Sequence, residues 1–273
     1  MFPMKLLDKQ NYGVQWNVPI LRIGIDGKAV KKHQCVTTLT NLDNNSLITV
    51  FPAASQKKLI EEILKIDVKL RLGVREIALD MDKFYISLVQ ICFPNARLVV
   101  DHFHVIQWAI QLIDEQRRII QQVTKQAFPI KQIIGRPPAK LTKSEMIKLE
   151  DSFSTCSELK RSWLILQELR KIYRQKNWKK ACSQLRKVIW LCEQSCIPEM
   201  GQLAGTLRNH RERILNYYIS KLTNAYTEGI HNRFETIRRD HCGINNIERF
   251  SKRLLFCFLP FSVVLEYFLP QIV

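Results

Sequence analysis

The chain has 273 residues, 46% of them apolar, with only 9 Gly and 10 Pro, which excludes a disordered or low-complexity polypeptide and allows one large domain or two intimately joined ones. Its 42 Lys and Arg against 25 Asp and Glu leave a net +17, and such a balance favours a polyanion as partner, nucleic acid ahead of an anionic membrane surface. No Walker-type glycine loop and no serine elbow occurs, so nucleotide hydrolysis and acyl transfer have no support.

The amino end, "MFPMKLLDKQNYGVQW", carries no signal-peptide apolar stretch. The runs "ILRIGID" (20 to 26), "QCVTTLTNL" (34 to 42) and "SLITVFP" (46 to 52), the last two joined by the polar turn "DNN", predict a three-stranded antiparallel meander. "SQKKLIEEILKIDVKLRLG" predicts one helix, N-capped by Ser55 and closing near Gly73. "EIALD" and "ARLVVD" predict two parallel strands around a short helix, "KFYISLVQICFPN". Beyond residue 103 the pattern is helical, broken at "GRPPAK" (135 to 140). Residues 114 to 190 hold 18 Lys and Arg against 7 Asp and Glu, a net +11, with Trp163, Trp178 and Trp190 interleaved. Those indoles either stack on bases or, more commonly for such residues, pack in the core. The apolar carboxyl end, "LLFCFLPFSVVLEYFLPQIV", is interrupted by Pro260, Glu266 and Pro270 and predicts a helix packed on the core or left sticky by a missing neighbour, with membrane contact the lesser alternative.

A meander, a helix and a β-α-β crossover is the order of the ribonuclease H-like fold, in which the first and fourth strands lie side by side. Asp26 and Asp80, 54 residues apart, then meet at strand ends. Carboxylates brought together repel unless a cation intervenes, and hard divalent ions with oxygen ligands suit such a cluster. The segment "SKLTNAYTEGIHNRFETIRRDH" (220 to 241) predicts a helix carrying a third acid, Glu228, with Arg233, Arg238 and Arg239 placed to run along phosphates, and Lys28 is a further candidate for that contact. Asp82, two residues past Asp80, is the alternative second ligand. The eight cysteines are irregularly spaced and read as reduced, buried thiols of a cytoplasmic protein. Zinc is disfavoured: Cys192 and Cys196 have no second pair, and His231, His241 and Cys242 lack partners at finger spacing.

The blocks "IGIDGKAVKKHQCVTTLTNLDNNSLITV", "ALDMDKFYISLVQICFPNARLVVDHFHVIQ" and "LTNAYTEGIHNRFETIRRDHCGINNIERFSKRLL" resemble, in that order, those of the DDE transposases of bacterial insertion sequences, specifically the ISL-three group. The likeness spans about residues 20 to 256. The resemblance implies an α/β fold, a ribonuclease H-like mixed sheet with a large all-helical insertion before the last catalytic acid. Its parts would be residues 1–104 as the first portion of the core, 105–220 as the basic insertion, and 221–273 as helices completing the core. It further implies that Asp26, Asp80 and Glu228 hold two Mg²⁺, with Mn²⁺ able to substitute, for DNA strand cleavage and strand transfer. Asp101 and His104 match a further Asp and His of the family, beside the scissile phosphate or capping the next helix. The implied partners are transposon ends and target DNA, bound by a homo-oligomer in the bacterial cytoplasm at the nucleoid, with no membrane involved.

Three departures from the family pattern stand out. Gly27 follows Asp26 where an acid is common, and Glu235 stands seven residues beyond Glu228 where a basic residue is common. Relatives also carry a zinc-binding segment and a helix-turn-helix ahead of the core, whereas about 25 residues precede Asp26 here. Weak recognition of terminal repeats is therefore expected, and the alternatives are an inactive DNA-binding remnant or a ribonuclease H-like nuclease that does not transpose.

Overall fold

The computed structural model describes residues 19–31, 34–53, 55–240 and 246–258; the amino-terminal stretch, His241, Cys242 and the apolar run beyond Phe258 lie outside them. Strands β1 (Arg22–Lys31), β2 (Gln34–Asn41) and β3 (Ser46–Ala53) form the predicted antiparallel meander. Asn45 closes the β2–β3 turn at φ 55°, a left-handed backbone that Asn tolerates. Asp43 of that turn accepts from the Leu21 amide at 2.8 Å and from Arg22 Nε at 2.6 Å, which pins the start of β1.

The predicted single helix is two. Helix α1 (Gln56–Leu64) is capped by Ser55 as expected, but Asp67 accepts from the Lys69 amide at 2.7 Å and starts a separate α2 (Val68–Gly73). The Asp side chain offers the backbone a cap where helix continuation would offer only one more turn. Then follow β4 (Glu76–Leu79), α3 (Lys83–Cys92) and β5 (Arg97–Val100). The sheet order is β3-β2-β1-β4-β5 with β4 parallel to β1, which is the ribonuclease H-like arrangement.

Packing divides the described residues into two compact units, one made of those up to Val99 and from Leu222 onward, the other Val100–Lys221. The second is all helical: α4 (His102–Thr124), a 3₁₀ turn at Pro138–Lys140 where a break was predicted, α5 (Lys143–Thr155), α6 (Ser157–Tyr173), α7 (Trp178–Gln194), α8 (Pro198–Asn209) and α9 (Arg211–Ser220). Thr142 and Glu145 close a reciprocal capping box on α5. Helices α6 and α7 bury Leu166, Leu169 and Ile172 on one side and Ala181, Leu185 and Val188 on the other. Glu168 of α6 adds a polar clasp by accepting from Lys187 of α7 at 2.8 Å and from Gln184 at 3.0 Å.

Lys171 first, and then Lys187, holds the Glu168 carboxyl down to about 2 from its ordinary 4.5. A depressed carboxyl pKa stabilises the fold above the ordinary value, and the stabilisation is lost as pH falls through both values. Glu168→Gln is therefore expected to lower the neutral-pH melting temperature by about 2 °C, for a clasp worth about 0.5–1 kcal/mol. Melting curves of both proteins should converge as pH is lowered from 4.5 toward 2.

Two expectations, one about tryptophans and one about cysteines, need correction. Trp178 and Trp190 are 44% and 57% exposed, so they are surface residues and not core, while Trp163 does pack, 5.5 Å from the Phe153 ring. Among the described cysteines, all free, Cys92, Cys182 and Cys192 are buried, but Cys35, Cys196 and Cys257 are exposed. Among the described residues no helix is long and apolar enough to cross a membrane.

Returning to the sheet, strand alternation sorts β1 between two layers. Ile23 and Ile25 are fully buried with Ile77, Leu79, Ile63 and Leu88 beneath α1 and α3, each contributing about 1.5–3 kcal/mol of transfer free energy. The opposite face carries Gly24, Asp26 and Lys28, and is covered by α10 (Ala225–Asp240) and α11 (Ile247–Cys257). There Val30, Val36, Leu47 and Val50 pack against Ile230, Phe234, Phe250 and Leu254.

Candidate active site

Tyr226 and Ile230 carry the apolar contacts of α10 into its first turns, and beside them a set of sheet-facing residues is polar. Asn224, Thr227 and His231 are spaced three and four apart, so they share one helix face, and they are 0%, 0% and 5% exposed. Buried polar groups need partners, and each of these finds one on the sheet. Asn224 Nδ2 donates to the Ile25 carbonyl at 3.3 Å, Thr227 Oγ1 lies 2.6 Å from Thr40 Oγ1, and His231 Nε2 lies 2.9 Å from Thr38 Oγ1. Gly24 makes this seat possible. A Cβ at Gly24 would lie 2.4 Å from both Asn224 Oδ1 and Thr227 Oγ1 and 2.5 Å from Thr40 Oγ1.

The seat fixes the rotation and axial position of α10, and with them Glu228. Glu228 follows Thr227 directly and precedes His231 by three, making it the neighbour of His231 on the helix surface. Its Oε1 is shielded from solvent. His231 Nδ1 in turn lies 3.2 Å from Asp26 Oδ2, so the third acid is one helical turn from the contact with the first.

Asp26 is 7% exposed and lies inside β1, which runs on to Lys31, so it is not at a strand end as predicted. The physical reason is that β1 keeps its antiparallel partner: Asp26 pairs with Thr38 and Ala29 with Cys35. The parallel ladder to β4 stops earlier, at Gly24 and Ala78. Extending that register by two residues sets Asp80 abreast of Asp26, where β4 has ended and the chain turns toward α3. Both carboxylates act on one phenol. Tyr85 of α3 is pushed up to about 12, by burial first and then by the charges of Asp26 and Asp80. Its hydroxyl, 3.1 Å from Thr37 Oγ1, also explains Gly27: a Cβ there would sit 2.2 Å from Tyr85 Oη, so the acid common in relatives has no room.

The other predicted residues have plain structural engagements. Asp82 caps α3 by accepting from the Phe84 amide at 2.8 Å, and its own amide donates to Asp80 Oδ1 at 2.6 Å. Asp101, 1% exposed, caps α4 by accepting from the Phe103 amide at 2.8 Å. The His104 ring lies 5.7 Å from that of Phe103. Lys28 pairs with Glu235 at 3.4 Å, and Arg238 pairs with Glu235 at 2.6 Å while donating to the Val30 carbonyl at 2.9 Å. Glu235 thus clamps α10 to β1 and engages two of the four predicted phosphate-binding cations. Arg233 lies 5.9 Å from the Phe258 ring, and Arg239 is exposed.

Among the described residues no three His, Cys, Asp or Glu side chains close into a ligand set for a metal ion. The donor chemistry nevertheless fits Mg²⁺, which keeps several waters and takes one or two protein carboxylates together with substrate phosphates. Asp26 in β1 and Asp80 just past the end of β4 are carboxylates of that kind, and Glu228 lies on the helix packed on β1 and β2. The sequence alone does not disclose Gly24, Tyr85 or the contacts of His231, whose spacing raises only the question of zinc. The available signal was the buried face 224, 227, 231, polar where a core-facing helix would be apolar.

This five-stranded mixed sheet, with one acid in β1, a second just past the end of the parallel β4 and a third on a helix packed on β1 and β2, defines a ribonuclease H-like core carrying a helical insertion. The family model described as transposase, that of the ISL-three group of DDE transposases, matches residues 23–254, and the chain belongs to that family. It is similar to the transposase for insertion sequence element IS1001 of Bordetella parapertussis, 22% identical over 262 residues, covering 90% of this chain and 64% of that protein. It is also similar to the transposase for insertion sequence element IS1557 of Mycobacterium tuberculosis (strain CDC 1551 / Oshkosh), 24% identical over 223 residues, covering 71% of this chain and 50% of that protein. The chain thus spans between 50% and 64% of the length of these relatives.

Proposed function

We propose that this chain supplies the catalytic chemistry of an insertion-sequence transposase: cleavage of DNA strands at the element's ends and transfer of the freed 3′-hydroxyl to target DNA. The observation that carries the reading is the β1–β4 register, which when extended by two residues sets Asp80 abreast of Asp26, together with Glu228 one helical turn from the residue that contacts Asp26. Asp26, Asp80 and Glu228 would hold two Mg²⁺ or Mn²⁺, which when bound acidify the attacking water or hydroxyl and neutralise charge at the leaving oxygen. The carboxylates contribute position and negative charge, and they take no proton. Asp26 is held from two sides, by the Gly27 amide at 2.7 Å and by His231, so its orientation is set before substrate arrives. The family likeness also gives Asp101 and His104 a part in handling the DNA phosphate, which Asp101 would take on while capping α4.

DNA is held, in this reading, mainly through cations outside the α10–β1 clamp. Between Glu168 and Glu193 the chain has eight Lys and Arg and no acid, and Arg174, Lys176, Lys179 and Lys180 are exposed around the exposed Trp178. Such a patch neutralises phosphates, and an indole beside it can stack on a base. In the sheet unit Arg233 and Arg239 of α10 are separate candidates for phosphate contact, while Lys28 and Arg238 contribute only if Glu235 releases them. A homo-oligomer on paired ends, working at the nucleoid of a bacterial cytoplasm, completes the proposal.

The test is incubation of the purified full chain with Mg²⁺ and labelled duplexes bearing the element's terminal sequences, in the presence of target DNA. Metal-dependent nicks and strand-transfer products are expected. Nicks without joined products would mark a nuclease, and retarded but intact DNA would mark a binding remnant.

A further inference from the structure

Helix α10 turns a buried imidazole, that of His231, toward the sheet beside Asp26. His231 is 5% exposed and its ring lies 5.5 Å from that of Phe234, so it cannot be serving solvent. Both of its nitrogens are committed. Nδ1 faces Asp26 Oδ2 at 3.2 Å and Nε2 faces Thr38 Oγ1 at 2.9 Å. Thr38 is the residue directly across the β1–β2 ladder from Asp26. One ring therefore ties a cross-strand pair to the helix that carries Glu228.

From this geometry we infer that His231 is a positioning residue for the metal-binding carboxylate of Asp26. A carboxylate is an acceptor only, so Nδ1 carries the hydrogen toward Asp26, and Nε2 is left to accept from the Thr38 hydroxyl. Asp26 Oδ1 takes the Gly27 amide at 2.7 Å while Oδ2 takes His231. With one donor on each oxygen the carboxylate plane can no longer rotate about its bond to Cβ. Each oxygen keeps a free acceptor position for a cation. A histidine that merely filled the core would satisfy its nitrogens on backbone or hydroxyl groups. This one spends its donor on the acid that matters for the chemistry, and it does so from the turn after Glu228, so one contact sets the spacing of two acids.

The inference rests on Asp26 being a metal ligand, and the experiment separates the two claims. Mn²⁺ alone is titrated calorimetrically into the DNA-free full chain, with a melting curve recorded for every variant in the absence of metal. The variants are Asp26→Asn, His231→Ala, His231→Asn and His231→Gln. The amide nitrogen of Asn comes near the position of Nδ1 and can still donate to Asp26, whereas that of Gln comes near Nε2 and reaches only Thr38. A positioning role predicts that Ala and Gln weaken Mn²⁺ binding about 10–100-fold, the usual loss when a group orienting a metal ligand is removed, while Asn stays within about threefold of the original. Cleavage should follow the same order, with DNA affinity unchanged. The opposite order, Gln retaining Mn²⁺ affinity and Asn losing it, overturns the inference and leaves His231 as a dock for Thr38. A lowered melting temperature with undiminished Mn²⁺ affinity in the Ala variant overturns it too. Unchanged Mn²⁺ binding by Asp26→Asn overturns instead the underlying assignment of Asp26.

Discussion

Asp26→Asn, Asp80→Asn and Glu228→Gln are each expected to lower DNA strand cleavage by about 10³-fold or more, because the metal chemistry these acids support is worth several kcal/mol at the transition state and about 4 kcal/mol is a thousandfold in rate. The fold should survive all three. In Asp26→Asn the amide oxygen still accepts from the Gly27 amide, and its nitrogen meets His231, whose hydrogen can move to the nitrogen facing Thr38, where the hydroxyl accepts it. Asp80 lies at the sheet's edge of order, past the last residue of β4, and Glu228 hangs from a helix seated by its neighbours. Circular dichroism and melting curves should therefore match the unaltered chain while nicking of a labelled terminal duplex disappears. Residues that act as a unit are not additive, so a double variant should be no worse than the worse single one. Appreciable Mg²⁺-dependent nicking by Asp80→Asn would remove Asp80 from the site and leave Asp82, now seen as the cap of α3, as the acid to examine.

What the sequence disclosed was decided locally. The meander and the crossover follow from strand alternation and polar turns within stretches of about ten to twenty residues, whereas the pairing of β1 with β4 comes from the ribonuclease H-like order of those elements. Asp80 was legible because "EIALD" is an apolar run that stops at an acid. The end of β1 was not, because the apolar alternation stops at Asp26, and Gly27, Lys28 and Ala29 stay extended through pairing with Thr37, Val36 and Cys35. The break at Asp67 was missed because its cap competes with a helix pattern that continues apolar on both sides. His231 could not be assigned from its surroundings in the chain, since its partner Thr38 is 193 residues away. Likewise Thr227 and Thr40 meet across 187 residues, and nothing near either announces it. The residues of the site that were readable are the acids, whose chemistry is conspicuous. Those that hold the acids in place are small or neutral, and their function is a matter of what they touch.

Gly24→Ala is the second large effect, and it acts with no change of charge or chemistry. The added methyl would enter a slot 2.4 Å from Asn224 Oδ1 and Thr227 Oγ1 and 2.5 Å from Thr40 Oγ1, all inside normal contact distance. Asn224, Thr227 and Thr40 are each 0% exposed, so none can swing out to solvent, and α10 must lift from β1. Overpacking of this kind costs about 1–3 kcal/mol, and loss of the Thr227–Thr40 hydrogen bond adds about 1 kcal/mol. Catalysis should suffer more than stability, because a shift of about 1 Å in a catalytic group can cost about 10²-fold in rate, and Glu228 rides on the part of α10 that must move. The matching control is Gly205→Ala in α8, where an added Cβ meets nothing within 4 Å and a helical alanine should be neutral or stabilising by up to about 1 kcal/mol. Thr227→Ala removes one of the obstructing oxygens, so adding it to Gly24→Ala should restore part of the lost melting temperature, which a double-mutant cycle reads as coupling between β1 and α10. If Gly24→Ala melts and cleaves like the unaltered chain, α10 does not sit on β1 at this glycine, and the position given to Glu228 falls with it.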